Sequence, residues 1–389
     1  MPAEALCSRE EGILSGELPP RKPGLEFQPP KRRAPFFACF AGGSRQIPAV
    51  DENPRLIAEV LPTHTPELFQ VAVRRAAALL RAGEVVALPT ETVYGLAASA
   101  LDPRAVERIF QVKRRPAHNP IIVHVASLDM AKRCVANWPA LARKLAKAFW
   151  PGPLTLVLPR AKEIPGIITA GGLTVGVRWP SHPFIQAVIR ECGFPLAAPS
   201  ANPSNRVSPT LAEHVQKSLG DKIRLIVDGG QAQVGLESTV LDITVRPPRL
   251  LRPGMIDEQT LLALTGELVL GASESPELLR SPGLLRKHYA PKAKLVVWSW
   301  RDEAELKMRS AECGVRSSRV HIVAHTNIPA SVEFGRVSVI PHDAAAFARA
   351  IYAVLHQCDE AGAELIVVEA VPDAPAWRPI ADRLRRAAA

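Results

Sequence analysis

Leu88-Pro-Thr-Glu-Thr-Val-Tyr-Gly-Leu96 is the stretch on which the reading of this chain turns. An apolar run from Glu84 to Leu88 halts at Pro89, which cannot donate to a strand ladder, and Thr90, Glu91, Thr92 and Tyr94 follow at once. The pattern predicts a strand end that presents a polar set, which is where open α/β sheets hold their ligands.

Upstream, Thr65-Pro66-Glu67 reads as a helix start, and Leu68, Val71, Ala72, Ala76, Leu79 and Leu80 recur at helical spacing until Gly83. Downstream, Asp102-Pro103 opens a second helix with Val106, Ile109 and Phe110 on one face. Its last turn presents Lys113 and Arg115 before Pro116. Strands are expected at 120–125, 153–158, 174–178, 195–198, 225–228 and 238–244. Helices are expected from Ser127, over 139–150, over 183–192 and after Thr210. Strands and helices interleave without strict alternation, so the expectation is α/β with a mixed, twisted open sheet and helices on its faces.

The composition sets the outer bounds. A chain of 389 residues, 47% hydrophobic, suits two globular domains. Residues 1–60, rich in proline and charge, show no sustained period and read as a disordered extension. Glu4, Glu10, Glu11, Glu17 and Glu26 argue against a transit peptide. A catalytic domain is expected over 61–265 and a serine, proline and glycine linker over 266–294. A small α/β domain should follow over 295–389, with strands at 295–300, 320–325 and 365–369 and helices from Asp302 and Asp343. A glycine-bearing turn is expected before the final helix, where Pro375-Ala-Trp-Arg-Pro379 stands instead.

The formal net charge of +10 fits a polyanionic partner, nucleotide or RNA, and fits a merely solvated basic surface equally well. The six cysteines are scattered without a C-x-x-C pair, which indicates neither a zinc site nor a disulfide framework. No run is long enough for a membrane span, and the start lacks signal-peptide order. The expected location is the cytoplasm.

Two groups of residues carry possible chemistry. Lys113 and Arg115, with Asn119 close behind, suit phosphate or carboxylate oxygens, although a basic helix end is by default a solvated cap. Ser200 and Asn202 leave the strand before them as small polar donors, a pattern that ordinary turns share. There is no G-x-S-x-G elbow and no G-x-x-x-x-G-K-[ST] loop. His118 and His124 lack metal-ligand spacing with Cys134, and no metal site is expected from the protein alone.

The conjunction is more telling than any part of it. Pro89-Thr-Glu-Thr-Val-Tyr-Gly-Leu96, Lys113-x-Arg115-Pro116, Trp150-Pro-Gly-Pro-Leu-Thr155, Val177-Arg-Trp-Pro180, Ala198-Pro-Ser-Ala-Asn202, Glu237-Ser-Thr239 and Leu251-Arg-Pro-Gly254 follow one another in that order. Together, over roughly Thr65 to Leu264, they closely resemble the YrdC-like threonylcarbamoyl-AMP synthase family. His288-Tyr-Ala-Pro291 and Ala381-Asp-Arg-Leu-Arg-Arg386 resemble the linker and the end of the extra domain in its longer, two-domain members.

The resemblance implies a large twisted sheet around a concave positive cavity, with a small Rossmann-like C-terminal domain. It implies that L-threonine, bicarbonate and ATP, the last with Mg2+, give threonylcarbamoyl-AMP and pyrophosphate for tRNA modification, tRNA itself being met through downstream transferase proteins. By resemblance, Thr92, His124, Thr174, Arg178 and Ser238 contact threonine. Arg115, Asn119, Ser200, Ser208, Arg252 and Tyr289 contact the nucleotide. Lys113, Arg115, Ser200 and Asn202 form the catalytic set, working by charge neutralisation rather than as nucleophiles.

Two other classes compete. A non-catalytic double-stranded RNA-binding protein would match the basic charge, but only 5% of residues are aromatic and none form a base-stacking array. A carbamoyl-transfer relative with another acceptor, as in hydrogenase maturation factors, would be expected to carry zinc-finger or acylphosphatase-like modules. The segment from Ser281 to Pro291, dense in Arg286, Lys287, His288 and Tyr289, is expected to act as a lid.

Overall fold

The chain is described by a computed structural model over residues 57–271 and 288–389. The expected extension up to residue 56, and the lid segment from Ser281 to Lys287, lie outside the described residues.

The described part of the large sheet has eleven strands. In chain order they begin with β1 (Glu59–Pro62), β2 (Val86–Leu88), β3 (Gly95–Ser99), β4 (Val123–His124) and β5 (Leu154–Pro159). They continue with β6 (Thr174–Arg178), β7 (Leu196–Ala197), β8 (Leu225–Asp228), β9 (Thr239–Asp242), β10 (Arg249–Arg252) and β11 (Val269–Leu270). Their spatial order is β1-β8-β2-β3-β7-β4-β6-β5-β9-β10-β11. Parallel pairs such as β4/β6 and β5/β9 sit among antiparallel pairs such as β2/β3 and β5/β6, so the sheet is mixed.

Helix boundaries follow from local chemistry. Thr65 accepts from the Leu68 amide at 3.3 Å and opens α1 (Pro66–Arg81), with Pro66 in the first turn where no amide donor is needed. Asp102 caps α2 (Pro103–Lys113) through the Arg104 amide at 2.9 Å, and Arg114 ends it in the left-handed region at φ 50°. The faces of the sheet are further covered by α3 (Leu128–Arg133), α4 (Ala140–Phe149), α5 (Pro183–Cys192), α6 (Ala212–Leu219) and α7 (Glu258–Thr265). On α1, Ala72, Ala76, Ala77 and Leu80 are buried, and Phe69 meets Phe184 of α5 edge-to-face at 5.2 Å. Truncating Leu80 to alanine at such a site costs about 2–5 kcal/mol.

A second sheet holds β12 (Lys294–Trp298), β13 (Val320–Ala324), β14 (Arg336–Val339) and β15 (Leu365–Glu369). All of its pairs are parallel, in the order β12-β15-β13-β14. It is accompanied by α8 (Glu303–Glu312), α9 (Ala344–Glu360) and α10 (Arg378–Ala387). A three-ten turn over Pro375–Trp377 leads straight into α10, where a glycine turn was expected, and its Trp377 is buried on Phe347 at 5.5 Å.

The small domain is not a loose appendage. Its core cluster includes Phe347, Tyr352 and Ile380 together with Val93, Val207 and Leu236 from the large-sheet side and Tyr289 from the linker. At Gly235, with φ +82°, an added Cβ would stand 2.4 Å from the Ala348 carbonyl oxygen of α9. The two domains therefore approach backbone to backbone there.

Several sequence expectations shift. β1, ahead of the helix start at Thr65, pairs with β8 and was not among the expected strands. The strands expected over 120–125 and 195–198 shrink to Val123–His124 and Leu196–Ala197, because Pro120 and Pro195 lack amide donors at their starts. Strands β10 and β14, which carry arginine at their ends, give no alternating signal and were not anticipated.

Candidate functional site

Several strand ends meet at one cavity. β4 ends at His124 and β6 at Arg178, and these two are register partners in a parallel pair. β10 ends at Arg252, and Ser238 stands just before β9. The same cavity is lined by Thr92, Arg115, Ser200 and Tyr289.

The turn after Pro89 is built by its own hydroxyls. Thr90 Oγ1 donates to the Val93 carbonyl at 2.6 Å and accepts from the Val93 amide at 3.3 Å. It lies 2.9 Å from Thr92 Oγ1. That arrangement aims Thr92 Oγ1 at Arg178, whose Nη1 donates to it at 2.9 Å. The other terminal nitrogen of Arg178 lies 2.7 Å from Glu91 Oε1, with both side chains 4% exposed. Burial works against ionisation of Glu91, but the Arg178 charge and its hydrogen bonds outweigh it and hold the carboxyl below its usual range. Burial, reinforced by the Arg178 charge, pushes His124 down to about 3, so its ring is neutral near pH 7. Its Nδ1 has no partner among the described protein atoms.

Ser238 Oγ is shared, lying 2.8 Å from Thr155 Oγ1 and accepting from Arg252 Nη2 at 3.1 Å. Arg252 Nε also donates to the Ser238 carbonyl at 3.0 Å. Arg115 is fixed by Asn119: its Nε donates to the Asn119 carbonyl at 3.0 Å and its Nη2 to Asn119 Oδ1 at 2.8 Å. Burial weakens the hold of Arg115 on its proton, yet a guanidinium stays charged at any working pH. Arg115, Arg178 and Arg252 thus give the cavity a cationic wall.

The remaining expected residues stand elsewhere. Lys113 does not line the cavity; its fully buried Nζ donates to the carbonyls of Ser200 and Asn202, both at 2.5 Å, and clamps that loop to the end of α2. Burial, with the nearby Arg115 charge, drives the Lys113 ammonium well below the usual lysine range. Asn202 Nδ2 donates to the Arg206 carbonyl at 2.7 Å, and its side chain borders a different cleft. Thr174, at the opposite end of β6 from Arg178, opens onto a small adjoining cavity beyond Ile122. Ser208 donates to Glu237 Oε1 at 2.6 Å rather than facing the cavity.

From the linker, His288 and Tyr289 close one wall. Tyr289 is fully buried in the left-handed region at φ 63°, and its hydroxyl has no partner among the described protein atoms. The enclosed volume of about 50 Å³ is far below that of small-molecule sites.

A family model described as Telomere recombination matches residues 78–254. A second, Threonylcarbamoyl-AMP synthase, C-terminal domain, matches residues 255–389. The threonylcarbamoyl-AMP synthase of Pyrococcus abyssi is 39% identical over 321 residues, covering 81% of this chain and 93% of that protein. The Bacillus subtilis enzyme of the same name is 39% identical over 336 residues, covering 85% of this chain and 96% of its own. The chain belongs to the threonylcarbamoyl-AMP synthase family.

A crystal structure of P. abyssi Sua5 complexed with L-threonine is 38% identical and superposes with a TM-score of 0.77, covering 85% of this chain and 97% of that one. The two-domain form of the family, expected from the linker and terminal motifs, is what the two matched models describe. The motifs of this synthase-family chain assign no role to Glu91, Glu237 or Arg383, although Glu91 belongs to the polar set after Pro89. All three sit inside quoted motifs, but nothing in their spacing says which arginine each glutamate meets. Both ion pairs join residues more than 80 positions apart.

Proposed function

We propose that this cavity is where the chain condenses L-threonine, bicarbonate or carbon dioxide, and ATP into threonylcarbamoyl-AMP and pyrophosphate. As a member of its family the chain is a threonylcarbamoyl-AMP synthase, a nucleotidyl-transferring enzyme whose adenylate serves tRNA modification. One observation carries the site assignment: Thr92, His124, Arg178 and Ser238 share a single cationic cavity with Arg115, Ser200, Arg252 and Tyr289.

The chemistry needs several anions held together. The threonine nitrogen, as the free amine, bonds to the carbon of carbon dioxide and loses a proton, giving a carbamate; from bicarbonate, that proton leaves with the displaced hydroxide as water. A carbamate oxygen then bonds to the α-phosphorus, and the bond to the β-phosphate oxygen breaks to release pyrophosphate. Arg178 offers a planar fork for the threonine carboxylate. Neutral His124 keeps an unpartnered Nδ1 for the threonine hydroxyl or amine. Arg115 and Arg252 offset phosphate charge, and Lys113 with Asn119 holds Ser200 and Arg115 in place.

We propose that Mg2+ accompanies the ATP on its phosphates. No described helix is long and apolar enough to cross a membrane. We place the enzyme in the cytoplasm, meeting tRNA through downstream transferase proteins. Incubation with ATP, radiolabelled bicarbonate and L-threonine should yield a labelled adenylate that requires all three. Absence of that product would overturn the reading.

A further inference from the structure

The last helix belongs to the small domain, yet its Arg383 is 1% exposed and points into the catalytic side. Its Nε donates to Glu237 Oε2 at 2.9 Å, and Glu237 directly precedes Ser238. Its Nη2 donates to the Pro253 carbonyl at 3.0 Å, and Pro253 directly follows Arg252. Its guanidinium carbon lies 5.2 Å from the centroid of the Tyr289 ring. The remaining terminal nitrogen is held by Asp382 at 2.8 Å.

One side chain therefore touches the neighbours of two cavity residues and the ring of a third. A planar guanidinium with fixed donor directions can meet all three at once, whereas a flexible ammonium cannot. Tyr352 Oη reinforces the arrangement by donating to the same Glu237 oxygen at 3.1 Å, and the Arg386 carbonyl takes the His288 amide at 3.1 Å. The left-handed backbone of Tyr289 is one that non-glycine residues rarely adopt, so surrounding contacts must impose it.

We infer that Arg383 is a positioning residue for adenylate formation, holding Ser238, Arg252 and Tyr289 in register through Glu237, Pro253 and the aromatic face. The small domain is thus part of the site. The inference rests on the functional reading above, since it takes Ser238, Arg252 and Tyr289 to meet the substrates.

The test compares the full-length wild type with R383K, R383Q and, as a control, R378A. Arg378 pairs with Glu258 across the same two domains, but from an exposed position and with no neighbour in the cavity. The readouts are kcat, the KM values for ATP and threonine, and the thermal midpoint. R383K keeps the charge and loses the fork; it should fold, lose roughly tenfold to a hundredfold in kcat/KM, and show a raised KM for ATP. R383Q should be worse than R383K, and R378A should match wild type in every kinetic constant. A merely structural staple would lower the thermal midpoint of R383K while leaving the kinetics per folded molecule unchanged, and that result overturns the inference. Should R383Q fail to fold, the R383K kinetics decide alone. A wild type that makes no adenylate would overturn the functional reading, and this inference with it. A wild type that turns over, matched by R383K, overturns this inference alone.

Discussion

Arg178 and Glu91 form an ion pair at 2.7 Å within the cavity region, both nearly excluded from solvent. Isolating either partner there would leave an uncompensated buried charge. A threonine carboxylate reaching Arg178 must share the guanidinium with Glu91 or use the edge now facing Thr92. Arg178→Lys keeps the charge and removes the fork, so the KM for threonine should rise roughly tenfold to a hundredfold, corresponding to about 1.4–2.8 kcal/mol. The KM for ATP should change much less. Steady-state kinetics with each substrate varied will show this, and an equal rise in both constants would remove Arg178 from the threonine subsite.

Lys113 and Arg115 should separate by phenotype. Lys113→Ala leaves a buried carbonyl at Asn202 and a part-buried one at Ser200 without their donor, at about 1–3 kcal/mol for the buried one. Its loss of activity should therefore come with a lower thermal midpoint. Arg115→Ala removes a charge facing the cavity and should lower kcat by about a hundredfold, near 3 kcal/mol of transition-state stabilisation. Thermal melts and turnover measured side by side would contradict this if Lys113→Ala kept its midpoint and still lost all activity.

Side-chain selectivity follows from the walls around Thr92 and His124. Serine lacks only the methyl of threonine and should be disfavoured by roughly 10- to 200-fold in kcat/KM. Valine keeps the shape without the hydroxyl and should be a far poorer substrate. Competition assays in which valine performed as well as threonine would end the hydroxyl-recognition idea.

Acid should destabilise the fold through its buried histidines. Burial lowers His124, His214 and His288 to about 3 each, against an ordinary value of 6.5. Between those limits the unfolded chain binds more protons than the native one, so stability rises with pH there. The contribution is fully present above about pH 6.5 and is lost as pH falls toward 3. Each such group steepens the dependence by up to about 1.4 kcal/mol per pH unit. Urea midpoints between pH 7 and pH 5 should fall, and His214→Asn should flatten that fall. An unchanged slope in this variant would count against the buried neutral ring.

The sequence by itself determined the elements and the family. Capping residues such as Thr65 and Asp102 act on amides three or two positions away, so helix starts are legible locally, and α5 and β15 appear with the limits expected of them. The ordered run of short motifs does the same for membership, because each motif reports a turn and a few side chains that are near one another in the chain. Four-residue strands with arginine at an end, such as β10 and β14, escaped because so short a run carries too few apolar positions to show a strand period, although each pairs with the strand just before it in the chain.

Only the tertiary structure decided which side chains face the cavity and which hold it. Lys113 reads as an anion ligand from its neighbours, but α2 carries it under the Ser200–Asn202 loop, where carbonyls take its hydrogens. Thr174 and Arg178 share one strand, and its rise of about 3.3 Å per residue sets them at opposite ends. Ser208 turns to Glu237, and Glu237 to an arginine 146 residues away. Hydrogen-bond direction and burial are properties of the packed interior, created when distant segments meet, and no local pattern encodes them.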